Sequence, residues 1–247
     1  DIRRIVDSSM DFPTPVSKVG SKDVLELFHG PTMAFKDVGA RFLAGFISHF
    51  AKKTNRTVTV LVATSGDTGG AIAQAFGGVE NTRVVVLFPK GRVSELQHLQ
   101  LTHVAENVSS LEIDGNFDDC QEFVKQAFND HDLKALNLTS ANSINVGRLL
   151  PQITYYANAY AQIGRDDLRF VVPTGNLGNL TAGLIAQRMG VPIKSFVAAN
   201  NLNDTLHRYL QTGVYEVGES HATLSNAIDV ASPNNLPRLQ RLFDNDV

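Results

Sequence analysis

The stretch VTVLVATSGDTGGAIAQAFGG, residues 58–78, changes its hydrophobic period from two to 3.6 across one glycine-bearing turn, and the chain repeats that change along its length. Strand-like runs at Val24–Phe28, Val58–Ala63, Val84–Phe88, Ser109–Ile113, Leu136–Leu138, Phe170–Val172 and Ile193–Ala198 alternate with helical ones. The helical runs begin near Ala34, Thr68, Ser94, Asp118, Asn145, Asn179 and Asp204. Such an alternation predicts an α/β protein with doubly wound parallel sheets, because a parallel strand needs a crossover and a helix supplies it. Ligands in such sheets bind where strands end and helices begin. Four of those loops carry unusual chemistry: HGPTMAFKD, ATSGDTGG, LTSANSINVGR and VPTGNLGNLTAG.

The first of them places Lys36 oddly. On a helix starting near Ala34, Lys36 shares a stripe with Ala40, Leu43 and Ile47, while Phe35, Val38, Phe42 and Phe46 fill the next stripe. Asp37, Arg41 and Ser48 make the polar side. Burial and a positive helix N-terminus both disfavour an ammonium, so this lysine is expected to be a neutral, nucleophilic amine. The plain alternative is a snorkelling lysine packed on the phenylalanines or paired with Asp37.

Gly175, Asn176, Leu177, Gly178 and Asn179 follow a strand and open a helix, so backbone amides there can cradle a phosphate. The loop has neither the Walker pattern nor the dinucleotide G-x-G-x-x-G, and it can equally be an ordinary turn. Ser65, Gly66, Asp67 and Thr68 gather amides and hydroxyls in a smaller space, with Asp67 repelling a dianion, so a carboxylate suits them better. Ser65 or Asp67 would otherwise serve only as the helix N-cap. Asn142, Ser143, Asn145 and Arg148 offer amide, hydroxyl and guanidinium donors for a second anion, or caps and turns alone. Lys90, with Arg92, follows a strand and would steer anions or simply be solvated.

Composition narrows the partners. A net charge of -3 gives no bulk reason for nucleic acid or anionic membrane, and no apolar run reaches the roughly 18 residues of a membrane span. Small molecules are the expected partners. One cysteine, Cys120, rules out an intrachain disulfide framework and suits the cytoplasm. The seven histidines and one cysteine do not make up the spaced ligand set of a zinc site, so no metal is expected, and the acidic residues of DGNFDDCQ are expected to begin a helix.

A buried lysine, a phosphate cradle and a carboxylate pocket together are what pyridoxal 5'-phosphate chemistry on an amino acid requires. ELFHGPTMAFKD, ATSGDTGGA, SANSINVGRLLPQ and PTGNLGNLTAG, with ATLSNAIDVASPNN further on, resemble the threonine synthase family in order and content. That family is a member of the tryptophan synthase β-like group, the fold type II pyridoxal phosphate enzymes. The resemblance runs from about Phe12 to Phe243 and implies Lys36 as the Schiff-base lysine. It implies residues Gly175 to Asn179 at the cofactor phosphate, and Ser65, Gly66, Asp67 and Thr68 at the substrate carboxylate, with Asp67 also bordering the cofactor ring. Asn142, Ser143, Asn145, Arg148 and Lys90 would face the substrate phosphate; Leu177 stands where the family more often has Phe.

The implied reaction is that of a lyase in threonine biosynthesis: O-phospho-L-homoserine and water give L-threonine and phosphate, with Lys36 moving protons at the α and β carbons. Serine or threonine dehydratases of the same fold, or a noncatalytic cofactor-binding fragment, are the rival readings. The family extends past both ends, and the chain has no initiator methionine, so an internal fragment is expected. The implied architecture is a larger cofactor-binding lobe, residues 1–50 and 138–247, with a smaller open-sheet lobe, 51–137, inserted in it.

Overall fold

The Val58–Ala63 run is apolar on both faces, which suits a strand covered on both sides. In the computed structural model, which describes residues 2–64, 66–102, 105–225 and 229–244, it is the centre of a parallel sheet. The elements in chain order are α1 (Ile2–Ser9), β1 (Val16–Val19), β2 (Lys22–Leu25), α2 (Asp37–Thr54), β3 (Val58–Ala63), α3 (Asp67–Phe76), β4 (Thr82–Pro89), α4 (Glu95–Thr102) and β5 (Val108–Ile113). There follow α5 (Phe117–Asn129), β6 (Leu138–Ser140), α6 (Val146–Leu149), α7 (Ile153–Ile163), β7 (Leu168–Pro173), α8 (Gly178–Arg188), β8 (Ile193–Ala199), α9 (Thr205–Thr212) and α10 (Leu236–Leu242).

The chain divides into two compact units. The first holds residues 1–13 and 27–148 and contains the sheet β5-β4-β3-β6, parallel throughout. Its register sets Val60 against Val84 and Thr139 on either side. Val60 and Val62 point into a core with Ala40, Leu43 and Ala44 of α2, Ile72 and Phe76 of α3, and Leu101 of α4. Leu61, Ala63 and Leu87 point the other way, onto Cys120 and Val124 of α5. Helices thus cover both faces, the doubly wound pattern expected from alternating strand and helix periods. The start of α5 follows the acidic signal: Asn116 accepts from the amides of Asp118 and Asp119, and Asp119 accepts from the Asn116 amide.

The second unit, residues 14–26 and 149–247, holds the parallel pair β7-β8 and the antiparallel pair β1-β2. Tyr156 of α7 packs edge-on against Phe170 and Phe196 of the parallel pair. A Cβ on Gly183 of α8 would meet Phe196 and Tyr156 at 2.6 and 2.7 Å, so glycine lets α8 lie close to both rings.

Several expectations shift. The grouping differs from the 51–137 lobe boundaries, because α2 shares the core of the four-stranded sheet and β6 pairs with β3. The first strand is one arm of a hairpin with β1, turned at Gly20 with φ +60°, rather than a member of a parallel sheet. The long helix expected from Asn145 is α6, a 3-10 turn through Pro151, and then α7, since proline cannot donate its share of the helical ladder. Helix α10 was not foreseen. Among the described residues no helix is long and apolar enough to cross a membrane.

Candidate active site

Helix α2 starts at Asp37, and Lys36 is its N-cap residue with φ -74° and ψ -15°. Its side chain is buried, 5% exposed, on the stripe that continues through Ala40 and Leu43. The neighbouring stripe behaves differently: Val38 is buried, but Phe46 and Phe50 are exposed and lean on one another with ring centroids 4.8 Å apart. Asp37, expected on the wet face, is buried as well. Its carboxylate accepts from the Thr32 amide at 2.9 Å and from the Thr32 hydroxyl, closing the turn that carries Lys36.

Lys36 Nζ stands 3.8 Å from Asp67 Oδ2 and 5.7 Å from the centroid of the Phe35 ring. Burial lowers its pKa to about 8; the Asp67 carboxylate opposes that shift, and the Arg148 guanidinium adds to it. The ammonium is still the main form at pH 7, but the neutral amine is far more populated than in an exposed lysine, the direction that the apolar stripe in the sequence suggested.

The loop after β3 brings Asp67 to this point. Thr64, buried, accepts from the amides of Gly66 at 3.1 Å and Gly69 at 2.9 Å, so it is the hydroxyl that caps α3. Of the two expected caps, Asp67 is already inside the helix, and Ser65 lies outside the described residues. Gly69 is required here, since a Cβ would meet Leu101 and Thr64 at 2.5 Å. Thr68 follows in the first helical turn, half-buried.

The loop after β6 emerges from the same end of the sheet, because β6 is parallel to β3. Asn142 Nδ2 donates to Ala63 O at 2.7 Å, and Asn145 Nδ2 donates to Ser140 O at 2.7 Å while its Oδ1 accepts from the Gly147 amide. Arg148 is buried, and its Nη1 donates to Ala141 O at 2.6 Å. Ser143 is half-buried in the same loop, and Lys90 is exposed beyond the end of β4, its amide donating to Ile113 O. The structure thus brings Lys36, Asp67 and Arg148 into electrostatic contact and hangs Asn142 on the β3 terminus. None of the described hydrogen bonds or ion pairs joins Lys90 to that cluster.

The glycine-rich loop belongs to the second unit. Leu177 takes φ 62° and ψ 5°, a left-handed conformation uncommon for leucine, and is the N-cap of α8 with no side-chain cap bond. The loop is pinned instead by Asn179, whose Nδ2 donates to Pro173 O at 2.8 Å and whose Oδ1 accepts from the Thr174 hydroxyl and the Leu180 amide. Asn176 is latched to a later segment: Asn235 Nδ2 donates to its carbonyl at 2.8 Å, and the Asn234 amide donates to its Oδ1. A helix start preceded by a fixed, glycine-bearing turn and uncapped by a side chain at its N-cap fits a phosphate group. A buried, partly neutral lysine fits an aldehyde. Each unit by itself thus carries residues that suit one end of pyridoxal phosphate, the lysine turn its aldehyde and the glycine-rich loop its phosphate.

Sequence reasoning missed Thr64, Gln97 and the Asn234–Asn235 pair. Gln97 donates from Nε2 to Asp67 Oδ1 at 2.8 Å. The pattern Ser94-x-x-Gln97 was readable as a capping box, but its reach to Asp67 was not.

The family model described as pyridoxal-phosphate dependent enzyme matches residues 24–246. The threonine synthase of Serratia marcescens is 51% identical over 248 residues, covering 98% of this chain and 57% of that protein. The crystal structure of threonine synthase from Escherichia coli superposes with a TM-score of 0.92 at 51% identity, covering 98% of this chain and 57% of the other. That of PLP-bound threonine synthase from Brucella melitensis gives 0.89 at 42% identity, covering 99% and 55%. The chain spans somewhat more than half the length of these relatives. With the fold type II architecture that the motifs implied, the chain belongs to the pyridoxal-phosphate dependent enzyme family.

Proposed function

We propose that this chain carries the catalytic lysine region of a threonine synthase, acting on O-phospho-L-homoserine and water to give L-threonine and phosphate. The observation that carries the reading is Lys36: a buried amine with its pKa brought to about 8, 3.8 Å from Asp67, in a sequence about half identical to threonine synthases. Pyridoxal phosphate, when bound, supplies an electron sink for carbanions adjacent to the imine nitrogen. Lys36 supplies the amine that holds the cofactor aldehyde and, once released, accepts and returns protons at the substrate carbons. Residues Gly175, Asn176, Leu177, Gly178 and Asn179 hold the cofactor phosphate through backbone amides.

Ser65, Gly66, Asp67 and Thr68 receive the substrate carboxylate. The Arg148 guanidinium, with Asn142, Ser143, Asn145 and Lys90, binds the substrate phosphate. A cytoplasmic location belongs to the same reading and suits the single buried thiol, Cys120.

The test is made on the whole chain. Incubation with pyridoxal phosphate should give a visible absorbance band that Lys36→Ala loses, and O-phospho-L-homoserine should then release phosphate. A colourless parent protein sinks the reading. A coloured protein that deaminates serine or threonine and ignores phosphohomoserine assigns it instead to the dehydratases of the same fold.

A further inference from the structure

The Asp67 carboxylate is about a third exposed at the first turn of α3. It is nevertheless held at both oxygens: Oδ2 faces Lys36 Nζ at 3.8 Å, and Oδ1 accepts from Gln97 Nε2 at 2.8 Å. Gln97 is itself buried and fixed at its other end. Its Oε1 accepts from the Ser94 amide at 2.9 Å, and its own amide donates to Ser94 Oγ at 3.2 Å, the reciprocal pair that starts α4. A glutamate would close the same box, so the cap alone does not call for an amide. Only glutamine also presents a donor to a carboxylate, where glutamate would present a like charge.

We propose that Gln97 is a positioning residue that keeps the Asp67 carboxylate turned toward Lys36. The inference rests on the reading of Lys36 as the cofactor-binding amine. Among the described residues, the charged groups that act on that amine include Asp67 from α3 and Arg148 from α6, while the adjacent Asp37 on α2 is engaged by Thr32. Asp67 favours the ammonium and Arg148 disfavours it, so the direction in which the Asp67 carboxylate points sets the balance between them. Gln97 fixes that direction from a third helix, through a hydrogen bond to a charged acceptor, the stronger kind.

The experiment reads the Lys36 side chain directly, in the whole chain labelled with 13C-lysine and without added cofactor, its Cε resonance assigned by its absence in Lys36→Met. The parent should titrate near pH 8. Gln97→Met should lower that midpoint by ~0.5 unit, raising the neutral fraction at pH 7 about 2.5-fold. Asp67→Asn should shift it further the same way, and the double variant should match Asp67→Asn alone, since Gln97 acts only through Asp67. Ser94→Ala, which removes the hydroxyl of the box and leaves the Nε2 donor, should not move it. Gln97→Asn, too short to reach Asp67, should repeat the Gln97→Met shift and stands in for that variant if it does not fold.

A Gln97→Met midpoint equal to the parent's, a double variant shifted beyond Asp67→Asn, or an equal shift in Ser94→Ala each overturns the proposal. The absorbance band of the cofactor complex is independent of this titration. Its absence sinks the functional reading alone, and an unmoved Lys36 midpoint in a coloured protein sinks only the role of Gln97.

Discussion

The lysine turn at the start of α2 and the glycine-rich loop at the start of α8 both bury polar groups at a helix N-terminus, but they are stabilised by different forces. Around Lys36 the groups are charged: an ammonium, the Asp67 carboxylate and the Arg148 guanidinium, with a pKa displaced by burial. Around residues 174–179 they are neutral amides, hydroxyls and carbonyls, tied by Asn179 from inside and by Asn235 from a distant segment. A charged cluster can change state within the physiological pH range, whereas a network of neutral amides keeps one geometry across it. The first suits a group that must gain and lose protons, the second a fixed anchor.

That contrast can be broken most directly at Lys36. Its folded pKa, about 8, is below the 10.5 usual for a lysine, so between these values the unfolded chain binds the extra proton and stability rises with pH. Below about pH 8 both states are protonated and the burial penalty is present in full. Lys36→Met should therefore unfold at higher urea at pH 7, by at most roughly 3 kcal/mol, and the gain should fade as pH approaches 10.5. An equal gain at both pH values would remove the charged half of the contrast.

In the anchor, Asn235→Ala leaves the buried Asn176 carbonyl without that donor and should cost about 2 kcal/mol by urea unfolding. The cost should be the same at pH 6 and pH 9, because no titrating group takes part in that bond. Asn179→Ala removes the side chain bonded to Thr174, Leu180 and Pro173; on this half-buried site it should cost about 1.5 kcal/mol and raise hydrogen exchange in residues 174–180. Thr64→Val, which removes only the hydroxyl cap of α3, should cost about 1 kcal/mol. If Thr64→Val were more damaging than Asn235→Ala, the anchor would be the softer of the two regions.

Much of this was legible beforehand, for identifiable reasons. Lys36, Ala40 and Leu43 sit on one stripe at helical spacing, and that stripe is the buried one. The glycine-rich loop opens a helix where its strand ends, as a period change from two to 3.6 requires. Phe46 misled, because apolar spacing does not distinguish a stripe packed on a sheet from one left at the surface. Asp37 misled in the opposite way, since the five-residue return to Thr32 that allows its burial has no signature in a helical wheel. In the sequence Asn176 belongs to its own loop, yet it bonds to residues 58 and 59 positions away.

The sequence by itself determined the strand and helix order between α2 and α9, with α6 and α7 read as one helix, the parallel pairing of β3 to β8, and the chemical types gathered at those strand ends, because periodicity, glycine and charge act over a few residues. Tertiary structure alone decided which carboxylate faces Lys36, that Gln97 of α4 holds it there, and that Asn235 fixes the phosphate-type loop. Those relations depend on which side chains packing brings within about 3 Å of one another, and a hydrogen bond has no preferred separation along the chain.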